Sequence, residues 1–277
     1  MKGILLHGGH GTRLRPLTHT GPKQLIPIAN KPMSQYVIED LKEAGVNEVI
    51  IVLGDIYPEK VREYYGDGSK FGVKISYVYQ GAPLGLAHAV KVCKEAIGNT
   101  KKFVVYLGDN IIRGGIKSFV EDFKENKYDA MILLSKVPNP QRFGVAKFDS
   151  QGRLIGLVEK PKKPPSEYAL VGVYFFTPVI FKAIDTIKPS WRGELEITDA
   201  IQRLIDWGYN VSYRVIKGWW KDTGTPEDVL EANRIILDKE IKEDKIMGIV
   251  ESGAIVEGRV EIGEESRVVN DCLLYTS

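Results

Sequence analysis

Hydrophobic positions recur along this chain in two rhythms. Runs that are apolar throughout or alternate with period two fall at Gly3 to Leu6, Glu48 to Leu53, Lys74 to Gln80, Lys102 to Leu107 and Ala130 to Leu134, and they predict strands. Between them, Ser34 to Ala44, Pro58 to Tyr65, Gly85 to Ala96 and Gly115 to Glu125 carry the wider spacing of amphipathic helices. This alternation predicts an α/β fold in three layers, a mixed and mostly parallel sheet covered by helices on both sides. After Ser135 the character changes. Gly144 to Asp149, Leu154 to Lys160 and Tyr168 to Phe176 predict strands separated by turns at Asp149 to Gly152 and Pro161 to Pro165, a partly antiparallel layer suited to substrate binding. Ile197 to Trp207 and Pro226 to Ile241 close the pattern as helices, the second with a proline near its start and acids in its first turn.

Ligands of such sheets sit beyond the carboxyl ends of the strands, and the first strand ends in the most distinctive stretch of the chain, Leu5 to Lys23. Gly8, Gly9 and Gly11 let the backbone turn tightly enough to present several N–H groups to an anion. Arg13, Arg15 and Lys23 follow within reach, so a polyphosphate held there would also meet cations. A Walker loop requires Gly-Lys-Ser/Thr where Gly11-Thr12-Arg13 stands, and a dinucleotide fingerprint wants glycine in place of Leu14, which disfavours a kinase or an NAD enzyme. A nucleoside triphosphate site is expected, with a plain surface turn as the alternative. Two more strand ends carry polar groups. Gln80 presents a donor and an acceptor that match a pyrimidine edge, with Gly85 leaving room for the base; Asp109, after Gly108, suits a hard cation such as Mg²⁺.

The string G-G-x-G-T-R-L-x-P-L-T at Gly8 to Thr18, followed by P-K-x-L-x-P-I-x-N-K-P at Pro22 to Pro32, resembles the signature of sugar-1-phosphate nucleotidylyltransferases. Within that group the chain looks most like the glucose-1-phosphate thymidylyltransferases, including the long forms with a C-terminal β-helix, and the resemblance covers about Met1 to Asn270. It implies a Rossmann-like nucleotidyltransferase domain over residues 1–240. His7 and His10 depart from it, standing where the family more often has Ala and a small or polar residue.

By this resemblance, Leu6, Gly8, Gly9, Gly11, Thr12, Arg13, Lys23, Gln80 and Gly85 contact the nucleotide. Asp109 and Asp222, the latter in Gly218 to Thr225, are the implied metal ligands for Mg²⁺. Gly144, Glu159, Lys160, Val173 and Arg192 are the implied sugar-phosphate contacts, while Glu194 and Glu196 have less certain roles. Arg13, Lys23, Asp109 and Asp222 carry the catalysis. The expected reaction is transfer of a nucleotidyl group from dTTP, or UTP, to glucose 1-phosphate with release of pyrophosphate. A nucleotide-sugar-dependent glycosyltransferase and a non-catalytic regulatory homologue are the alternatives, the second expected to have lost one of Arg13, Lys23, Asp109, Lys160 or Asp222.

Composition narrows the partners. The chain has 277 residues with 38 Lys and Arg against 36 Asp and Glu, interleaved and near neutral, so nothing suggests a nucleic-acid groove. No apolar run approaches the ~18 residues of a membrane span, and the N-terminus enters a strand without a signal core, which predicts a cytoplasmic enzyme. A homo-oligomer is expected. Cys93 and Cys272 have no metal spacing and imply no disulfide framework.

At the end of the chain Val250, Val256, Ile262 and Val268 recur every six residues, and Ala254, Val260 and Ser266 take the fifth place of successive hexads. That is the period of a left-handed β-helix, predicted to start at residue 246 and to fit only about one coil by residue 271. Residues 272–277 abandon the hexads and resemble the translation of a transposon end, so they are expected to be a non-native tail and the chain a fragment.

Overall fold

The computed structural model describes residues 1–240, 243–257 and 260–275. The chain opens with β1 (Lys2–His7), then a two-strand pair, β2 (Pro27–Ile28) with β3 (Lys31–Pro32), and α1 (Met33–Glu43). It continues through β4 (Glu48–Leu53), α2 (Pro58–Tyr65), β5 (Lys74–Tyr79), α3 (Leu86–Lys91), α4 (Lys94–Ile97) and β6 (Phe103–Leu107). Then come β7 (Asn110–Ile112), α5 (Lys117–Glu125), β8 (Ala130–Lys136), β9 (Gly144–Phe148), β10 (Leu154–Glu159) and β11 (Tyr168–Phe176). The domain closes with α6 (Val179–Ile184), α7 (Ile197–Asp206), β12 (Val211–Val215), β13 (Trp220–Asp222) and α8 (Pro226–Glu240).

One nine-stranded sheet organises these elements, in the order β10-β9-β11-β6-β1-β4-β5, with β8 beside β11 and β12 beside β8. The pairs β6·β1, β1·β4, β4·β5 and β8·β12 are parallel, whereas β11 runs antiparallel to β6, β8 and β9. The strands after Ser135 therefore extend the same sheet; they do not form a separate layer. Side chains alternate across it as a pleated strand requires. Ile4 and Leu6 pack with Ala87, Val90, Phe181 and Ile201 on one face. Leu5 packs with Val37, Val61, Val120 and Phe123 on the other. Helices α3, α4, α6 and α7 thus cover one side and α1, α2 and α5 the second, giving three layers.

Three features departed from the sequence pattern. The stretch expected to be one helix from Gly85 to Ala96 is two, α3 and α4, with a turn at Val92–Cys93 between them. Strand β12 (V-S-Y-R-V) lies on a sheet edge, is only half-buried, and so lacks the apolar run that marks the central strands. Strands β7 and β13 are three residues each and pair across a large sequence separation, which leaves no local signal.

Beyond α8, six short strands follow: β14 (Lys245–Ile246), β15 (Ile249–Val250), β16 (Ile255–Glu257), β17 (Glu261–Ile262), β18 (Arg267–Val268) and β19 (Leu273–Tyr275). They pair in parallel as β14·β17, β15·β18 and β16·β19. Each of the first three strands thus lies beside one of the last three. The last pair reaches Tyr275 because main-chain pairing accepts residues that break the hexad rule; Ile262 and Val260 are the segment's buried side chains among those described.

Candidate active site

The parallel strands deliver their carboxyl ends to one side of the sheet, and a cleft of about 540 Å³ opens there, within the usual size of small-molecule sites. Its floor is Leu6, Leu107 and Leu170, and polar groups converge on it from three directions.

The first is the loop after β1. Gly9 and Gly11 take positive φ, 124° and 57°, and Thr12–Leu14 coil into a short 3-10 turn that buries Leu14. Side chains pin the loop at both ends: Gln24 Nε2 donates to the Gly8 carbonyl at 3.1 Å, and Thr18 Oγ1 to the Gly11 carbonyl at 2.9 Å. Arg13 and Lys23 reach the cleft from here. His10 lies on the outer side, its exposed ring placing Nε2 3.0 Å from Asp55 Oδ1. His7 is buried at the end of β1 with no partner for either ring nitrogen among the described residues. Burial holds it neutral and pushes its pKa down to about 3 despite the nearby Asp109 charge.

The second is the acidic pair. β13 runs beside β7 so that Asp222 stands opposite Asn110, next to Asp109, and Thr223 clamps the join by donating its N–H and Oγ1 to the Asp109 carbonyl at 3.0 and 2.8 Å. Asp109 Oδ1 accepts from Asn110 Nδ2 at 2.8 Å; its Oδ2 accepts from the Lys23 ammonium. Burial works against the Asp109 charge, but the Lys23 contact overrides it and holds the carboxyl below its usual range. Asp222 has no such contact among the described residues. Burial, then repulsion from Asp109, pushes its pKa up to about 6. Two converging carboxylates with too little positive charge between them fit a hard divalent ion. The described residues hold no cluster of three or more acidic, His or Cys side chains, so such an ion would take its other ligands from phosphate and water, as Mg²⁺ does.

The third is the antiparallel side. Glu159 ends β10 and accepts from Thr198 Oγ1 at 3.1 Å, and burial, with Glu196 adding to it, raises its pKa. Lys160 follows in a left-handed conformation, φ 40°, its Nζ 3.9 Å from Glu159. Arg192 is held among three carboxylates: Glu194 at 2.9 Å, Glu196 at 3.2 Å and Glu159 at 3.8 Å. Glu194 and Glu196, of uncertain role in the sequence, thus orient Arg192. Gly144 lines the cleft beside Thr198.

Of the expected contacts, Gly9, Gly11, Thr12, Gln80, Gly85 and Val173 do not line the cleft, and two of them show why. Val173 is fully buried on the opposite face with Val171 and Phe175, because even-numbered positions of β11 face the cleft: Leu170, Gly172 and Tyr174 line it. Gln80 is nearly buried, its Nε2 donating to the Gly85 carbonyl at 3.2 Å, so it lies at the edge of the cleft and not along its wall. Several lining residues were absent from the sequence reading, among them Gln24, Asn110, Tyr174, Thr198 and Trp220. Trp220 and Asn110 were within view as neighbours of Asp222 and Asp109; Gln24, Tyr174 and Thr198 reach the cleft through contacts distant in sequence.

Fold and site together define a nucleotide-handling α/β enzyme. The chain belongs to the nucleotidyl transferase family, which it matches over residues 2–239. It is 52% identical over 267 residues to the low-salt glycan biosynthesis nucleotidyltransferase Agl11 of Haloferax volcanii, covering 96% of this chain and 74% of that one. It is 50% identical over 275 residues to a glucose-1-phosphate thymidylyltransferase of Streptomyces antibioticus, covering 99% of this chain and 76% of the relative. A crystal structure of a Bacillus anthracis protein described as a glucose-1-phosphate thymidylyltransferase, in complex with sucrose, superimposes with a TM-score of 0.79 at 39% identity, over 85% of this chain and 94% of that one. No helix among the described residues is long and apolar enough to cross a membrane.

Proposed function

We propose that this enzyme transfers a nucleotidyl group from dTTP to glucose 1-phosphate, releasing pyrophosphate, with UTP as a slower donor. The observation that carries the reading is the arrangement of cations on both sides of the acidic pair: Arg13 and Lys23 come from the glycine loop, Lys160 and Arg192 from the antiparallel side, and all line one cleft with Asp109 and Asp222. A reaction between two phosphates needs positive charge on each.

The glycine loop with Arg13 and Lys23 binds the triphosphate, and Gln80 pairs with the base edge. Lys160 and Arg192 hold the sugar phosphate against the repulsion of the donor, while Glu159 accepts hydrogen bonds from sugar hydroxyls. Asp109 and Asp222 would hold a divalent ion, Mg²⁺ the expected one, which would supply positive charge to the reacting phosphates. The attacking phosphate oxygen is already ionised near neutral pH, so no side chain has to remove a proton. Positioning and charge neutralisation by the chain's own cations provide the rest. A glycosyltransferase reading has less use for Arg13 and Lys23, which suit a triphosphate.

Product analysis over four nucleoside triphosphates and several sugar 1-phosphates tests the assignment. The expected outcome is dTDP-glucose with stoichiometric pyrophosphate; turnover with GTP and mannose 1-phosphate alone refutes it. The three parallel pairs of short strands after α8 support a further part of the reading, that residues 246–271 begin a left-handed β-helix. Every proposed catalytic group lies upstream, so a chain ending at Gly248 is expected to keep nucleotidyl transfer.

A further inference from the structure

We propose that Lys23 is a resident counter-ion: in the free protein its ammonium takes the place at Asp109 that a divalent ion takes in the loaded enzyme, so the ion enters with the nucleotide and not before it. The inference rests on the reading of Asp109 and Asp222 as the ion-holding pair.

Both oxygens of Asp109 already have donors. Oδ1 is bonded by Asn110 Nδ2, and Asn110 cannot turn away, because its own Oδ1 accepts from Trp220 Nε1 at 2.7 Å and the side chain is 2% exposed. Gly172, at φ 71°, leaves the space it fills: a Cβ there would lie 2.9 Å from Asn110 Cγ. The movable donor is therefore the one on Oδ2. The Lys23 stem starts from a fixed point, its backbone coiled in the 3-10 turn Lys23–Leu25 and its Cβ against Gly11, yet its end swings on a flexible four-carbon chain. The ammonium is nine-tenths buried and opposes the charges of both Asp109 and Asp222. A divalent ion arriving alone would meet a like charge already seated. A triphosphate changes the balance, because its anionic oxygens offer Lys23 a second partner beside the loop and free Oδ2 for the ion.

The test measures Mn²⁺ binding to nucleotide-free protein by electron paramagnetic resonance of the unbound ion. Wild type is expected to bind weakly, and Lys23→Met and Lys23→Gln to bind about tenfold more tightly or better, since each removes a positive charge beside the site. Asp109→Asn in the Lys23→Met background should abolish the gain. Equal affinity in wild type and both Lys23 variants overturns the counter-ion role. Tight binding that survives Asp109→Asn instead places the ion elsewhere and overturns the reading of the acidic pair. Circular dichroism checks folding, and if neither Lys23 variant folds, the ¹³Cε resonance of Lys23 in wild type decides. Mg²⁺ alone should leave it unmoved, and movement on adding Mg²⁺ without nucleotide contradicts the proposal.

Discussion

Leu195 is joined main chain to main chain with the segment at Leu84: its N–H donates to the Leu84 carbonyl at 2.8 Å, and its carbonyl accepts the Ala87 N–H at 3.0 Å. Leu84 belongs to the segment that carries Gln80 and Gly85, and Leu195 lies between Glu194 and Glu196, which hold Arg192. The segment proposed to meet the nucleotide and the one proposed to hold the sugar phosphate are therefore fastened to each other directly.

Gly85 makes that junction possible. It sits at φ 106°, and a Cβ on it would lie 2.5 Å from the Leu195 carbonyl oxygen. Gly85→Ala is expected to raise KM for both substrates and to lower kcat/KM by at least about tenfold, because strain and collision push the two segments apart. Gly81→Ala, at a positive φ with nothing within 4 Å, serves as the control. Steady-state kinetics varying each substrate separates them; a change confined to the nucleotide would show that the halves are uncoupled.

Asp222 predicts opposite effects on turnover and stability. Its folded pKa of about 6 exceeds the ordinary 3.8, so the unfolded chain ionises more readily, and the group's contribution to stability falls as pH rises from about 4 to 6. Asp222→Asn should therefore raise the unfolding midpoint of nucleotide-free protein at pH 7, by up to about 3 kcal/mol of stability, with the gain vanishing near pH 4. Turnover should fall by about two orders of magnitude. Thermal scans across pH beside a pyrophosphate-release assay check both; near-wild-type turnover would remove Asp222 from the chemistry.

Much of the site was readable where one short segment builds it. Gly8 to Lys23 has its chemistry and its geometry within a single loop, and α2 begins at Pro58 and ends at Tyr65 as its pattern predicts. What escaped was assembled across the sheet. Asn110 and Trp220 are partners 110 residues apart, and Arg192 gains meaning only beside Glu159 and Glu196. Val173 shows the same limit in miniature: the strand was recognised, but only the register of β11 tells which of its two faces meets the cleft.

His7 predicts acid sensitivity. It is held neutral with a pKa of about 3 against an ordinary 6.5, so the unfolded chain binds a proton that the folded one does not as pH falls below about 6.5, and stability drops until about pH 3. The loss amounts to about 5 kcal/mol across that window. His7→Leu should flatten this dependence and add about 1–2 kcal/mol at neutral pH, since it removes two unpaired buried nitrogens. Urea titrations at several pH values measure both, and an unchanged slope would mean that the ring is hydrated or paired in solution.

Lys160 separates the two substrates. Its ammonium stands at the antiparallel side of the cleft beside Glu159. Lys160→Ala should raise KM for glucose 1-phosphate by about tenfold and leave the Kd of dTTP unchanged, as expected when one phosphate contact is lost. Calorimetric titration with dTTP alone supplies the second value; a weakened nucleotide would reassign the residue.

Strand β11 runs against its neighbours, so it is its beginning that borders the cleft: Tyr168 pairs with Lys136, the last residue of β8. The loop Pro161 to Glu167 therefore starts beside Lys160, at the cleft side of the sheet, while the segment after Phe176 leaves on the far side. On the proposed reading, that one loop can be lengthened or rewritten beside Lys160 with the glycine loop left untouched. A laboratory library confined to those seven positions would search acceptor choice without disturbing donor recognition.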